Sequence, residues 1–535
     1  MTMRLPLLIP GAALVVVAAL VSGPAIEQAL GRPVGALAWG PALFRWLLAL
    51  HGRLLLVLAV RRSGRGVDAT RDRLPLPWKA LLILSLAAFV LRVIRLDTGL
   101  WLDEVFAHVG IFRQPFGTVV SSFTTQNQHM LYSILAHFSL RVFGESAWAI
   151  RLPGVLFGVA SLWALYLLGR RTIGARGAWL ACALMTVSYH HIWFSQNARG
   201  YTGLLFFALL ATWLWLEAQP AGGWRWWLAY SFACFLGAWV HMTMVFVVVS
   251  HALVWLFAPK KNWKRPIGAW LLCGTMTFQV YALALPEFFS GALGETSLPS
   301  EWVSPLWLLK ESFRNLRMAF AGAAVVVLGA AIAAAGWLDI FRRERATAAI
   351  MALPAILGGA MMIALGHNLW PRFFFFSMGF GLLVVVNGAV KVPRERVGLA
   401  LVLLLIVASA ITVPRCYALP KQDFAGARDY VERSRTSGEI VVATGLAASV
   451  YRSYYAPAWA ATKTDAGFEE LVRSGNLAWV VYTLPIQLRA WQPRTWEAVQ
   501  RDFEVVKAFP GTLGGGEVYV CRRRPAKSAK MVAYP

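Results

Sequence analysis

From residue 7 to residue 413, apolar segments of near-membrane length recur along this chain, separated by short loops rich in Lys and Arg. A helix needs about 20 apolar residues to cross the hydrocarbon of a bilayer. In lipid every backbone N–H and C=O must be paired within the segment, which leaves helices as the natural reading of such runs. The spans predicted are 7–22, 41–60, 78–95, 147–169, 178–193, 201–216, 226–240, 242–258, 267–286, 320–338, 347–366, 373–390 and 397–413. The fold class is therefore an α-helical polytopic membrane protein, with about 11–13 transmembrane helices. Residues 129–143 are apolar but short, and are read as a helix at the membrane surface. Composition agrees: 14% of the residues are charged, against roughly 25% in soluble proteins.

The loops give the orientation. Those assigned to the inner side carry twenty basic residues: Arg61, Arg62, Arg65, Arg71, Arg73 and Lys79; Arg170, Arg171 and Arg176; Arg225; Lys260, Lys261, Lys264 and Arg265; Arg342, Arg343 and Arg345; and Lys391, Arg394 and Arg396. The short outer loops hold only Arg32, Arg199 and Arg372. This bias follows the positive-inside rule. It also accounts for the net charge of +25 without nucleic acid as a partner. The N-terminal 24 residues have the pattern of a signal peptide, but are read as an uncleaved first helix.

Three regions follow. Residues 1–77 form extra membrane segments and a basic cytoplasmic loop, 78–413 a catalytic membrane domain, and 414–535 an extracytoplasmic domain. The last alternates helical patterns at 423–435, 468–473 and 495–503 with β-rich runs at 439–443, 478–482 and 517–521, which predicts a small α/β domain. Cys182, Cys234 and Cys273 lie in apolar spans and read as buried hydrophobes. Cys416 and Cys521 flank the C-terminal domain, where a disulfide is compatible with an outer location.

Four outer-face features carry candidate chemistry. Asp103 and Glu104 form an acidic pair just after a helix ending in Arg92 and Arg95. They read either as a solvated helix start or as a general base, and a divalent metal is compatible with them. Gln126-Asn127-Gln128-His129 closes the same loop. Ser195-Gln196-Asn197-Ala198-Arg199-Gly200-Tyr201 joins two apolar helices, with His190 and His191 nearby. His367-Asn368-Leu369-Trp370-Pro371-Arg372 precedes Phe373–Phe376. An outer arginine either snorkels to the interface or grips a phosphate with its planar fork. No Walker A loop, G-x-S-x-G elbow or H-E-x-x-H is present, so the sequence gives no sign of an ATP-driven pump.

In this order the features resemble glycosyltransferases of the GT-C class. The closest likeness is to family 39, with the dolichyl-phosphate-mannose protein mannosyltransferases, their bacterial relatives and the related lipid A aminoarabinose transferases. The similarity runs from about residue 91 to 391. It is carried by R-L-D-T-G-L-W-L-D-E, H-x-L-Y, G-E-S-A-W-A-I-R-L-P-G-V-L-F-G-V and W-F-S-Q-N-A-R-G-Y. The resemblance implies a GT-C-like bundle and transfer of one hexosyl or pentosyl unit from a polyprenyl-phosphate sugar. The acceptor would be a lipid, protein or polysaccharide hydroxyl, outside the bacterial cytoplasmic membrane. It implies Asp103 as the acceptor-activating acid, with Glu104 beside it. Arg199, Tyr201 and Arg372 would serve the donor phosphate, with His129 and His367 as further binding residues. The chain departs from the family pattern at Asn197, where relatives carry Glu, and at Met130, which replaces a proline after His129. A lid at 287–319, around Gly291, Gly294, Pro299 and Pro305, is a further expectation. Rival readings are a flippase or transporter of a lipid-linked sugar, a polysaccharide polymerase or ligase, and a membrane scaffold.

Overall fold

In the computed structural model, residues 5–60, 76–125, 128–219, 223–258, 263–292, 300–319 and 322–525 are described. Gln126, Asn127, Gly294, Pro299 and the basic stretch 61–75 lie outside them. The chain divides into two compact units. The first is helical and contains the membrane segments. The second gathers everything from Tyr417 onward, together with Asp97–Gly110 from the first outer loop.

Each expected span of the first unit is helical for most of its length, some of them with an internal change of helix. Among the described residues, seven helices are long and apolar enough to cross a bilayer, or up to nine if two bent pairs each count as one span. The protein is thus an integral membrane protein. The 178–193 segment is not one helix. It breaks into Gly174–Thr186 and Tyr189–Ser195. Ser188 starts the second piece, its side chain accepting the His191 N–H at 3.4 Å, as an N-cap does. The 129–143 segment forms the helix Met130–Phe143. The 267–286 segment bends by 85° after Tyr281.

Small residues let the helices approach closely, as packing in lipid requires. A Cβ on Gly52 would lie 2.7 Å from the Gly11 carbonyl oxygen, so helices Leu5–Leu20 and Gly40–Val60 cross at a glycine pair. Gly336 and Gly388 play the same part for Ala323–Arg343 and Met378–Val390. Beside that crossing, Asn387 donates to the Gly336 carbonyl at 3.0 Å and to Asp339 at 2.8 Å, and Arg343 donates to Asp339 at 2.6 Å.

The second unit is built on a five-stranded sheet. Its strands are β1 (Ile440–Thr444), β2 (Ala460–Thr462), β3 (Leu477–Thr483), β4 (Phe503–Phe509) and β5 (Val518–Arg523). The order is β2-β1-β3-β5-β4, with β2, β1 and β3 parallel and β5 and β4 antiparallel. Val442, Val480, Tyr482 and Cys521 pack with Phe468 and Val499 from helices Asp465–Arg473 and Pro493–Asp502. Helix Phe424–Ser434 lies on the opposite face, where Tyr430 meets the Trp479 ring edge-on. Both faces of its parallel part are therefore covered, as parallel strands require.

All five cysteines are free thiols. The bridge considered for Cys416 and Cys521 does not form. Cys416 donates to the Tyr189 carbonyl at 3.4 Å. Cys521 is buried in the sheet's core, where burial pushes its thiol up to about 12.

Candidate active site

In the helical unit, the site is assembled around a buried arginine. Arg92, at the end of helix Trp78–Val93, is fully buried. Its guanidinium donates to the carbonyls of Ala88, Met185 and Thr186, to Ser195 Oγ at 3.2 Å and to His191 Nδ1 at 2.6 Å. Gln196 donates back to the carbonyls of Arg92 and Ile94. Ser195 and Gln196 thus have structural tasks: they fasten the 195–201 segment. Buried polar groups demand such partners. Helix Ala147–Thr172 supplies the bed on which the segment lies. A Cβ on Gly154 would sit 2.9 Å from the Asn197 carbonyl oxygen, and one on Gly158 would collide with the Ser195 side chain. Tyr132 Oη donates to the carbonyls of Ile150 and Asn197, at 2.8 and 3.3 Å. The small residues in the G-V-L-F-G run are spaced for this contact.

Held in this way, Arg199 and Tyr201 are both about 2% exposed. Tyr201 packs edge-on to His129 with ring centroids 5.3 Å apart, and His129 lies 4.5 Å from His241. Tyr201 and His241 are 5.8 Å apart, which closes the triangle. Gly200 allows the approach, since a Cβ there would come 3.0 Å from His129 Nδ1. Arg372 belongs to the same neighbourhood. It lies on the 3₁₀ turn Pro371–Ser377, whose Phe375 stacks on Phe194 at 4.1 Å. Its guanidinium sits 4.7 Å over the Trp370 ring.

The electrostatics report the same convergence. Burial holds the His129 imidazole well below its ordinary value, and the charges of Arg199 and Arg372 push in the same direction. Burial, and then Arg199, lower His241 to about 3. Neither His129 ring nitrogen finds a partner of good geometry, though the Val240 carbonyl is a neighbour. Two guanidiniums, a tyrosine and two neutral imidazoles together form a basic, hydrogen-bonding cluster. Such a set suits an oxyanion such as phosphate.

Of the residues expected here, the structure brings Arg199, Tyr201, Arg372 and His129 together. His367 ends up half-buried just beyond helix Arg345–Ala364, with its backbone N–H on the Met362 carbonyl. No contact between it and the cluster is found among the described residues. His241 was not foreseen. Its one signal was a histidine in the short gap between two apolar helices on the outer side.

Asp103 and Glu104 lie in the second unit, on the short helix Leu102–Ala107. Asp103 is 4% exposed and Glu104 fully buried. Glu104 accepts the Trp101 N–H at 3.4 Å, so it closes the start of its own helix. Among the described residues, no three His, Cys, Asp or Glu side chains are grouped to hold a metal ion.

Residues 128–285 match the family model described as dolichyl-phosphate-mannose-protein mannosyltransferase. YkcB of Bacillus subtilis (strain 168), a candidate mannosyltransferase, is 31% identical over 130 residues, covering 24% of this chain and 18% of its own. The chain thus spans under a fifth of that curated relative's length. Among solved structures, the apo oligosaccharyltransferase of Archaeoglobus fulgidus superposes with a TM-score of 0.50 at 11% identity, over 83% of this chain and 74% of that one. Apo ArnT of Cupriavidus metallidurans gives 0.46 at 14% identity, over 83% and 97%. The resemblance to GT-C, family 39-like proteins is borne out, as is the fold class: a helical membrane bundle with a small C-terminal sheet domain.

Proposed function

We propose that this GT-C-like chain is an inverting glycosyltransferase that moves one sugar from a polyprenyl-phosphate donor to an acceptor hydroxyl, outside the bacterial cytoplasmic membrane. The observation that carries the reading is the convergence of His129, Arg199, Tyr201, His241 and Arg372 in one basic cluster. The family match over residues 128–285, whose description names a dolichyl-phosphate sugar, adds support.

Asp103 takes the proton from the acceptor hydroxyl as general base. The acceptor oxygen forms its bond to the anomeric carbon as the bond to the phosphate oxygen breaks, with inversion. The leaving phosphate carries its own charge away, so it needs little protonation. That removes the need for the second, acidic carboxyl that glycosidases use. Arg199 and Arg372 stabilise the charge growing on the phosphate, a preorganised electrostatic effect that is often the largest part of catalysis. His129 and His241, being neutral, contribute hydrogen bonds rather than charge. Glu104 keeps the base's helix in shape.

The test is transfer from a panel of undecaprenyl-phosphate sugars by the purified protein. Asp103→Asn should lower kcat by about 10²–10⁴-fold, the usual worth of a general base, with unchanged thermal unfolding. Arg372→Ala should lower kcat/KM for the donor by about 10–100-fold for a lost charge-assisted hydrogen bond. Full activity in Asp103→Asn would remove Asp103 from the mechanism, and unchanged donor kinetics in Arg372→Ala would remove the phosphate role.

A further inference from the structure

The helix that carries Asp103 is only six residues long. Helices this short do not persist alone in water, and their first backbone N–H groups lack intrahelical partners. What holds it comes from far along the chain. Leu102, its first residue, donates its N–H to Gln422 Oε1 at 3.1 Å. Gln422 is 1% exposed, and its Nε2 donates to Thr483 Oγ1 and to the Gly516 carbonyl, both at 3.1 Å. An N–H can only donate and a carbonyl can only accept, so the chemistry fixes which way this amide points. Two tyrosines add to the grip. Tyr455 Oη donates to the Leu100 carbonyl at 2.8 Å, and Tyr454 meets the His108 ring edge-on. Gly99 makes room, since a Cβ there would lie 3.0 Å from Tyr455 Oη.

The place of attachment is informative. β1 is followed by β2 on one side of it and then by β3 on the other. Open parallel sheets receive ligands at the carboxyl ends of the strands flanking such a reversal. Thr483 ends β3, so Gln422 ties the acidic helix to that end of the sheet. A segment of the protein itself occupies the position where a related sheet takes a small molecule.

We infer that Gln422 is a positioning residue: through it the C-terminal domain fixes the helix that presents Asp103. The C-terminal domain is then part of the catalytic apparatus, not an appended module. This rests on the reading of Asp103 as the base. Errors of about 1 Å in placing a reacting group cost on the order of 10²-fold in rate, so a held helix matters.

The experiment uses the full-length protein in detergent. Hydrogen exchange over residues 97–110 is followed alongside sugar transfer in Gln422→Leu and in the milder Tyr455→Phe. In Gln422→Leu, exchange across 97–110 should quicken at least about tenfold, the scale of one buried hydrogen bond. Strands β1 and β3 should keep their protection, and kcat should fall at least about tenfold with donor KM unchanged. Tyr455→Phe should move both in the same direction by less. It decides the matter if Gln422→Leu loses the protection of the whole sheet. Unchanged exchange across 97–110 in the variants overturns the proposal, and so does quickened exchange with unchanged kcat. If the unaltered protein transfers no sugar from any donor, the functional reading fails by itself, and the exchange data still decide whether Gln422 holds the helix.

Discussion

His129 and His241 face each other across 4.5 Å, and both are kept neutral by burial and by the neighbouring arginine charge. This has a pH consequence whose sign is fixed. An imidazole lowered from 6.5 to about 3 on folding binds fewer protons in the native state than in the unfolded one between those values. Its contribution is therefore complete above pH 6.5 and is lost as pH falls towards 3. His241 should give a slope of about 1.4 kcal/mol per pH unit in that window. Thermal unfolding in detergent from pH 7 to 4 should show this fall, and His241→Phe should flatten it. An unaltered slope in that variant would mean that His241 is already charged in the fold. The sequence exposed Arg199, Tyr201, Arg372 and His129 because each stands in a short polar break between apolar runs. It gave no means of pairing them, since their separations along the chain say nothing of which loops meet. Gln422 was invisible for a plainer reason: an amide beside a turn carries no signal until its partners are known.

At the scale of elements, the apolar runs predicted the membrane helices well, because length and hydropathy alone decide whether a segment can sit in lipid. Two kinds of feature escaped. The helix break at Ser188 lies within a continuous apolar stretch, where the capping hydroxyl competes with hydropathy and wins. Strand β4 has an exposed interior between two buried phenylalanines, so it lacks the alternation that marks a half-buried strand. The packing of Ala147–Thr172 under the 195–201 segment gives a direct test. Gly158→Val should strike Ser195 and disturb its bond from Arg92, with a loss of about 1–3 kcal/mol as in other overpacked cores. Gly274→Ala, where an added Cβ meets nothing within 4 Å, should be neutral or slightly stabilising. Equal unfolding temperatures for the two variants would contradict the close approach seen at Gly158.

For the whole molecule, the charge asymmetry of the loops predicts that the sheet domain is extracytoplasmic. The cysteines make this testable, since all five are buried. A cysteine placed at exposed Arg494 should react with a membrane-impermeant maleimide in intact cells, whereas one at exposed Arg394 should react only after the membrane is opened. The reverse pattern would invert the topology and, with it, the side on which transfer occurs.

The bond between Leu102 and Gln422 spans 320 positions of the chain. Ribosomes add about 5–20 residues per second, so the glutamine is made on the order of half a minute after the helix it secures. During that interval the membrane helices can insert one after another while the carboxylate-bearing turn stays unfixed. A chain cut short before the sheet domain would then be a membrane protein without a set base. Completion of synthesis would itself serve as the step that arms the molecule.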